Sequence, residues 1–263
     1  MSTSAPPAPP LVLTFAATDP TSGAGLQADL LTLAALGCHP LSVVTALTAQ
    51  DTSGVARVLA MEPGWITEQA TRVLDDMAVA AFKAGVLGSA ANVRAVSEIV
   101  AAHADAPFVV DPVLASGRGD RLADEDAIEA LRESILPRTT VLTPNSIEAR
   151  RLAGERDLAA CARALTDQGC EYVLITGTHE AGAEVVNTLY DESGALREDR
   201  WPRLPASYHG SGCTLASAIA AELAKGLEPP EAAHVAQRFT WESLAAGFRP
   251  GGGQFLPNRF FRS

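Results

Sequence analysis

The stretch LVLTFAATDPTSGAGLQADLLTLAALG, residues 11–37, holds the pattern on which the fold turns. Leu11–Ala16 is an unbroken β-type run. After a polar, glycine-rich connection, apolar residues recur at Leu26, Leu30, Leu33 and Leu36, a helical spacing, and Gly37 closes the helix. The same alternation runs through the chain. Strands are expected at Leu41–Leu47, Phe82–Leu87, Pro107–Val110, Thr140–Leu142 and Tyr172–Thr176. Helices are expected at Ile66–Val79, Val93–Ala102, Glu125–Leu136 (up to Pro137), Ile147–Ala153 and Leu158–Gln168. A hairpin follows, with Glu184–Tyr190 and Ala195–Trp201 flanking the turn-rich Asp191-Glu-Ser-Gly194, and then helices near Thr214–Lys225 and Pro230–Ala246 before the loop Arg249–Gly253. Strands alternating with helices predict an α/β fold: a mostly parallel sheet with helices on both faces.

Length and composition bound the rest. At 263 residues the chain fits one large α/β domain, and no linker divides it. An apolar fraction of 47% supplies a sizeable core and excludes disorder as the main state. No apolar run reaches the ~20 residues that a membrane-spanning helix needs. Lys and Arg number 20 against 31 Asp and Glu, a net charge of −11. That balance disfavours a nucleic-acid partner but permits a small phosphorylated ligand at a locally positive site. Cys38, Cys161, Cys170 and Cys213 stand far apart with no CxxC pair, so neither a disulfide framework nor a zinc site is expected. The first ten residues, MSTSAPPAPP, carry four prolines and no basic residue. They read as a floppy tail rather than a signal peptide, which leaves 11–263 as a single domain in a cytoplasmic chain.

In such a sheet, ligands bind beyond the carboxyl ends of the strands, so the loops after strands are where chemistry is expected. The first loop, Ala17–Gly25, contains Gly23-Ala-Gly-Leu-Gln-Ala28, a formal match to the dinucleotide fingerprint. With Asp51 as a ribose-binding acid, it would suit an NAD(P)-dependent oxidoreductase. Six residues, Ala17–Ser22, separate that glycine from the strand, whereas a pyrophosphate turn needs it at once. The other readings are a plain glycine-rich connection, or a loop that brings Asp29, in the first helical turn, to a polar substrate. The loop Thr45–Gly54 places Gln50 beyond a strand, where its amide offers donor and acceptor edges to a planar heterocycle. Asp111 follows the run PFVV, and a carboxylate buried there needs a metal or cation. Thr143-Pro-Asn-Ser-Ile-Glu148 reads either as an N-cap with its capping-box acid or, with Asp111, as oxygen ligands for Mg²⁺.

The most specific segment is Tyr208-His-Gly-Ser-Gly-Cys-Thr214, a small-residue turn opening into a helix with Leu215, Ile219 and Leu223 on its apolar face. The first N–H groups of that helix lack partners, and its dipole adds about half a positive charge. Gly210 and Gly212 let the backbone close around an anion, making a phosphate cradle without the Walker lysine. Cys213 is expected to have its thiol pKa lowered from about 8.5 toward neutrality at the helix terminus, ready to take a proton from an attacking alcohol. His209 is placed to touch phosphate. Cys38, Cys161 and Cys170 read as packing residues.

Taken in order, Asp19-Pro…Gly23-Ala-Gly-Leu-Gln-Ala-Asp29, Thr45-Ala-Leu-Thr-Ala-Gln50, Lys83-Ala-Gly-Val-Leu-Gly-Ser89, Asp111-Pro-Val, Thr143-Pro-Asn-x-x-Glu148 and His209-Gly-Ser-Gly-Cys-Thr214 resemble a known family. It is that of the hydroxymethylpyrimidine and phosphomethylpyrimidine kinases, within the ribokinase-like superfamily that also holds pyridoxal kinases. The resemblance implies a ribokinase-like three-layer sandwich. It implies ATP- and Mg²⁺-dependent phosphorylation of 4-amino-5-hydroxymethyl-2-methylpyrimidine and then of its monophosphate, in a homodimer with no nucleic-acid or membrane partner. By the same resemblance, Asp29 and Gln50 hold the substrate, with Val86 against the ring and Ala17 on the approach. Gly210 and Gly212 form the anion hole, and Cys213 stands where sugar kinases of the superfamily carry an aspartate base. Asn145, Glu148, Thr176, Gly177, His179 and Ser211 are assigned to ATP, and Asp111 and Glu148 to Mg²⁺.

Three positions depart from the family pattern. Thr176-Gly-Thr-His179 stands where Lys-Gly-Gly-His is common, which removes a cation near the nucleotide phosphates. Arg118 or another basic residue would compensate, or ATP binds more weakly. Ala17 stands where glycine is common, and Val86 where methionine is usual. A pyridoxal kinase and a non-catalytic pyrimidine sensor are the rival readings.

Overall fold

In the computed structural model, which describes residues 8–115 and 122–262, β1 (Leu11–Ala17) is buried along almost its whole length. It lies inside one sheet with β2 (His39–Asp51), β3 (Gly54–Ala60), β4 (Ala81–Ala84), β5 (Phe108–Val110), β6 (Val141–Leu142), β7 (Tyr172–Thr176), β8 (Glu184–Asp191) and β9 (Gly194–Pro202). The strand order is β3-β2-β1-β4-β5-β6-β7-β8-β9. Neighbours from β2 to β7 run parallel, while β3 at one edge and β8–β9 at the other join antiparallel. The helices are α1 (Gly25–Ala35), α2 (Pro63–Leu74), α3 (Ala90–Ala101), α4 (Glu125–Ala130), α5 (Ser146–Ala153), α6 (Leu158–Asp167), α7 (Ser211–Ala224) and α8 (Pro229–Ala245). Among the described residues, no helix is long and apolar enough to cross a membrane.

Strand side chains alternate between faces, and that parity sorts the core into two layers. Leu13, Phe15, Phe82, Phe108 and Leu142 pack with Ile66, Val96, Ile128 and Leu165 of the α2–α6 layer. Val12, Ala81, Val109 and Val141 pack with Leu33, Ile219 and Phe239 of α1, α7 and α8. Thr14 and Lys83 are register partners on β1 and β4 and share the parity of Val12 and Ala81, so both face the α1–α7 layer. From β1 the chain first goes outward to β2 and then returns to place β4 on the other side. Between β1 and β4 the order therefore reverses, and that is where a ligand crevice is expected in an open α/β sheet.

The structure corrects three local expectations. Residues 45–54, read as a loop, complete β2 and turn into β3, with Leu47 opposite Leu59. β3 is an edge strand whose side chains are mostly exposed, so it carries no apolar alternation to reveal it. The expected strand from Phe82 to Leu87 ends at Ala84. The helix expected at Glu125–Leu136 is α-helical only to Ala130, continuing as a π segment, Leu131–Ile135, and a 3₁₀ turn at Leu136–Arg138 that contains Pro137. Of the Pro-rich tail expected over residues 1–10, only residues 8–10 are described, and Arg118 lies outside the described residues.

Candidate active site

The carboxyl ends of β1 and β4 are tied together. Ala17 N–H donates to Val86 O at 3.0 Å, and Gly85 N–H donates to Phe15 O at 2.9 Å. Val86 lines an apolar cleft with Leu87, Pro112, Val113, Leu122 and Leu131. Two helices start beside this crevice. α7 begins after Gly210, which adopts a left-handed φ of 83° and caps the helix without a side-chain bond. A Cβ on Gly210 would lie 1.8 Å from Gly23 O, so the start of α7 is seated directly on the first loop. The absence of a side chain at Gly210 thus serves protein packing. Gly212 is different: a Cβ there would meet nothing nearer than Asp111 Oδ2, at 3.5 Å. The fold has room for a side chain at 212, and the helix N–H groups of Ser211, Gly212 and Cys213 have no intrahelical acceptor.

The sulfur of Cys213 lies where the starts of α1 and α7 meet, near enough to Gly25 N–H and to the Asp111 carboxylate for both to bear on its charge. The expectation of a lowered thiol pKa is overturned. Burial pushes the Cys213 thiol up to about 12, and the Lys83 ammonium, which pulls the other way, does not offset it. Asp111 and Glu148 are also pushed up, by burial first and, for Glu148, by the charge of Asp111 next. Asp111 Oδ2 is buried with no hydrogen-bond partner among the described residues.

Asp29 does not sit in the first helical turn, where the sequence pattern puts it. α1 starts at Gly25, which places Asp29 beyond its first turn, pointing inward. The residue is 0% exposed. Its Oδ1 accepts from Lys83 Nζ at 2.9 Å and Ser217 Oγ at 2.8 Å, and its Oδ2 from Thr14 Oγ1 at 2.7 Å and Lys83 Nζ at 2.9 Å. Burial works against the Lys83 ammonium, but the Asp29 charge outweighs it and holds the pKa above its ordinary value. The geometry thus makes Asp29 the counter-ion of Lys83 beneath the crevice.

At the ends of β6 and β7, Asn145 caps α5. Its Oδ1 accepts from Ile147 and Glu148 N–H, each at 3.0 Å, and Glu148 Oε2 accepts from Asn145 N–H at 3.0 Å. Glu148 Oε1 also accepts from Leu114 N–H at 3.3 Å. The capping box is therefore formed, and Glu148 is at the same time brought beside Asp111. Thr176 bridges to Asn145. Gly177 lies so close to β8 that a Cβ would sit 2.2 Å from Val186 O, a packing reason for glycine there. His179 is exposed. Arg203 donates to the carbonyls of Thr178, Glu180 and Gly182, each at 2.8 Å, and Arg150 pairs with Glu180, so these nearby cations hold the loop itself.

The dinucleotide reading fails on geometry. Gly23, the first glycine of the fingerprint, stands six residues after β1 ends at Ala17 rather than at once. Asp51 instead accepts from the N–H groups of Ser53 and Gly54 in the β2–β3 turn.

Two residues escaped the sequence reading. Asp19 is buried and accepts from Thr21 N–H, Ala24 N–H and His209. Burial pushes its carboxyl up, but the bonds from His209, Ala24 and Thr21 outweigh this and hold the pKa at about 2. A group with a depressed folded pKa stabilises the fold above its ordinary pKa and loses that contribution as pH falls. Asp19 is thus expected to lose roughly 1–2 kcal/mol of stabilisation between about pH 4 and pH 2. Urea midpoints across that window check this, and Asp19→Asn should flatten the dependence.

Arg259 was also missed. It is 5% exposed and donates to Gly23 O at 2.6 Å, Ser22 O at 3.2 Å and Thr214 Oγ1 at 3.1 Å, and burial brings its pKa down to about 10. It clamps the first loop to the first turn of α7 from behind. No local pattern reveals such a residue, since it lies 236 positions from Gly23.

The chain matches the family model of phosphomethylpyrimidine kinase over residues 19–258. It is 44% identical to the hydroxymethylpyrimidine/phosphomethylpyrimidine kinase of Streptomyces coelicolor, covering 94% of this chain and 93% of that protein. It is 40% identical to the Salmonella typhimurium protein of the same name, covering 80% of this chain and 81% of that one. Among solved structures, the pyridoxal kinase from Staphylococcus aureus in complex with ADP superposes with a TM-score of 0.89 at 29% identity, covering 98% of this chain and 96% of that one. The phosphomethylpyrimidine kinase from Clostridium difficile 630 gives a TM-score of 0.78 at 32% identity, covering 89% of this chain and 99% of that one. The protein therefore belongs to the hydroxymethylpyrimidine/phosphomethylpyrimidine kinase family, phosphotransferases built on the ribokinase-like fold.

Proposed function

We propose that the protein transfers the terminal phosphoryl group of ATP to the hydroxymethyl oxygen of 4-amino-5-hydroxymethyl-2-methylpyrimidine, and then phosphorylates the monophosphate. The observation that carries this reading is the convergence, at the β1/β4 crevice, of the unpaired N–H groups of α7, the Cys213 sulfur and the Asp111 carboxylate. Ser211, Gly212 and Cys213 N–H groups receive the charge that develops on the phosphoryl oxygens, the class of interaction that contributes most to such transfers. In a loose transition state the attacking hydroxyl keeps its proton until late, so a strong base is not required at rest. The alcohol proton then passes to Cys213 Sγ while the thiol proton moves to the neighbouring Asp111 carboxylate.

Asp111 and Glu148 fit Mg²⁺, an ion that takes few carboxylates and keeps several waters, and the Oδ2 of Asp111, without a partner among the described residues, is the open ligand. When bound, Mg²⁺ supplies charge neutralisation to the phosphate oxygens. Asn145, Thr176, Gly177, His179 and Ser211 are assigned to ATP. Gln50 meets the substrate ring, with Val86 as its apolar wall and Ala17 at the approach. Asp29 acts through Lys83, whose charge lies beneath Cys213.

Pyridoxal is the second candidate substrate, because the solved pyridoxal kinases superpose closely. ADP release measured with the pyrimidine alcohol, its monophosphate and pyridoxal, with and without Mg²⁺, tests both. Faster turnover of pyridoxal overturns the pyrimidine assignment.

Gly212→Ala separates ligand from fold. Alanine is the better helix former by up to about 1 kcal/mol and meets no clash, so Tm should hold or rise. A methyl in the cradle should nevertheless lower kcat about 10²–10³-fold, the loss typical of a disabled oxyanion donor. Wild-type turnover in this variant would remove the cradle from the reaction. A cytoplasmic homodimer completes the proposal. Exposed Leu47 and Leu59, opposite each other on β2 and β3, are consistent with a subunit contact, and sedimentation of Leu59→Lys checks it.

A further inference from the structure

Two contacts meet on one nitrogen of His209. Its Nε2 lies 2.9 Å from Asp19 Oδ2 and 3.2 Å from the terminal amide of Gln50. The ring is fixed from other sides as well. His209 N–H donates to Phe255 O at 2.9 Å, and a Cβ on Gly23 would lie 2.6 Å from His209 Cδ2. Asp19 is 1% exposed and accepts from Thr21 N–H at 2.8 Å, Thr21 Oγ1 at 2.8 Å and Ala24 N–H at 2.7 Å. Those donors keep it ionised. An ionised carboxylate has no hydrogen to give, so the hydrogen in the Asp19–His209 bond belongs to Nε2.

That assignment decides the orientation of Gln50. With a hydrogen on it, Nε2 has no lone pair for an amide N–H, and two N–H groups would oppose each other at 3.2 Å. The Gln50 atom facing His209 is therefore Oε1, which shares the Nε2–H with Asp19. The amide NH₂ is turned away from His209.

We propose that Asp19 and His209 are positioning residues that fix the Gln50 amide with its NH₂ offered to the substrate, so that the site selects a heteroaromatic ring presenting a bare nitrogen acceptor over one presenting N–H. This deepens, and rests on, the reading in which Gln50 meets the substrate ring. The sequence reading placed His209 on phosphate; here its ring instead serves the ring-recognition side of the site.

Two measurements test it. In ¹⁵N NMR of the labelled protein, the imidazole signals lost in His209→Gln should report a hydrogen on Nε2. A bare Nε2 overturns the proposal. His209→Leu removes the Nε2–H that holds Gln50 Oε1, which frees the Gln50 amide to turn over. Its kcat/KM for 4-amino-5-hydroxymethyl-2-methylpyrimidine should fall at least about tenfold, mostly through KM. For the 4-oxo analogue, which carries N–H at the neighbouring ring position, it should hold or rise. Equal losses on both alcohols overturn the proposal. An unchanged KM for both alcohols in Gln50→Ala would instead remove Gln50 from the ring, a failure of the underlying reading that is told apart by the NMR result.

Discussion

Turnover is expected to fall about 10²–10⁴-fold when Cys213 is replaced by alanine, the range for loss of a group that handles the reacting proton. The KM for the pyrimidine alcohol should move little, because alanine keeps the backbone N–H at 213 and with it the anion cradle. The sulfur lies between the start of α1, through Gly25 N–H, and the Asp111 carboxylate. Burial holds it as a thiol at rest, with its pKa near 12, so its contribution is to relay a proton late in the transfer rather than to wait as a thiolate. Single-turnover ADP formation checks this directly, and a near-wild-type rate would take Cys213 out of the mechanism. Cys213→Ser, which keeps an exchangeable hydrogen, should retain more activity than the alanine variant.

Lys83→Met is expected to cost about 3–5 kcal/mol of stability, the penalty for removing one member of a buried ion pair. Lys83 and Asp29 are both 0% exposed, and Lys83 Nζ lies 2.9 Å from each oxygen of Asp29. Without the ammonium, Asp29 keeps only the hydroxyls of Thr14 and Ser217, too little to compensate a charge in the core. The double variant Asp29→Asn/Lys83→Met should recover part of the loss, and the cycle of unfolding free energies should show strong coupling. Additive losses would mean that the pair is not a unit. The sign of the pH dependence follows from the raised pKa of Lys83. The pair stabilises fully below the ordinary lysine pKa of 10.5 and fades only as pH rises past it.

The alternation of strands and helices was legible because β1, β4 and β5 are covered on both sides and so read as apolar runs, and because α1 closes at Gly37. β3 was not legible, since an exposed edge strand buries too little to impose a pattern on its residues. The π segment at Leu131–Ile135 was hidden for another reason: its apolar spacing still resembles an ordinary helix. At the site, the small-residue turn before α7, the carboxylate after β5 and the capping box at Asn145 were all visible as local patterns. Gly210 and Gly212 looked alike in sequence, yet one is required by Gly23 O and the other is open to a ligand.

The sequence by itself determined the parallel centre of the sheet, the place of the crevice and the family, because periodicity and motif spacing are properties of neighbouring residues. Only the tertiary structure decided what surrounds each side chain. It paired Asp29 with Lys83, raised rather than lowered the thiol of Cys213, and brought Arg259 and His209 to the first loop. Burial and charge at a point depend on everything packed around it, and most of that comes from parts of the chain far away in sequence.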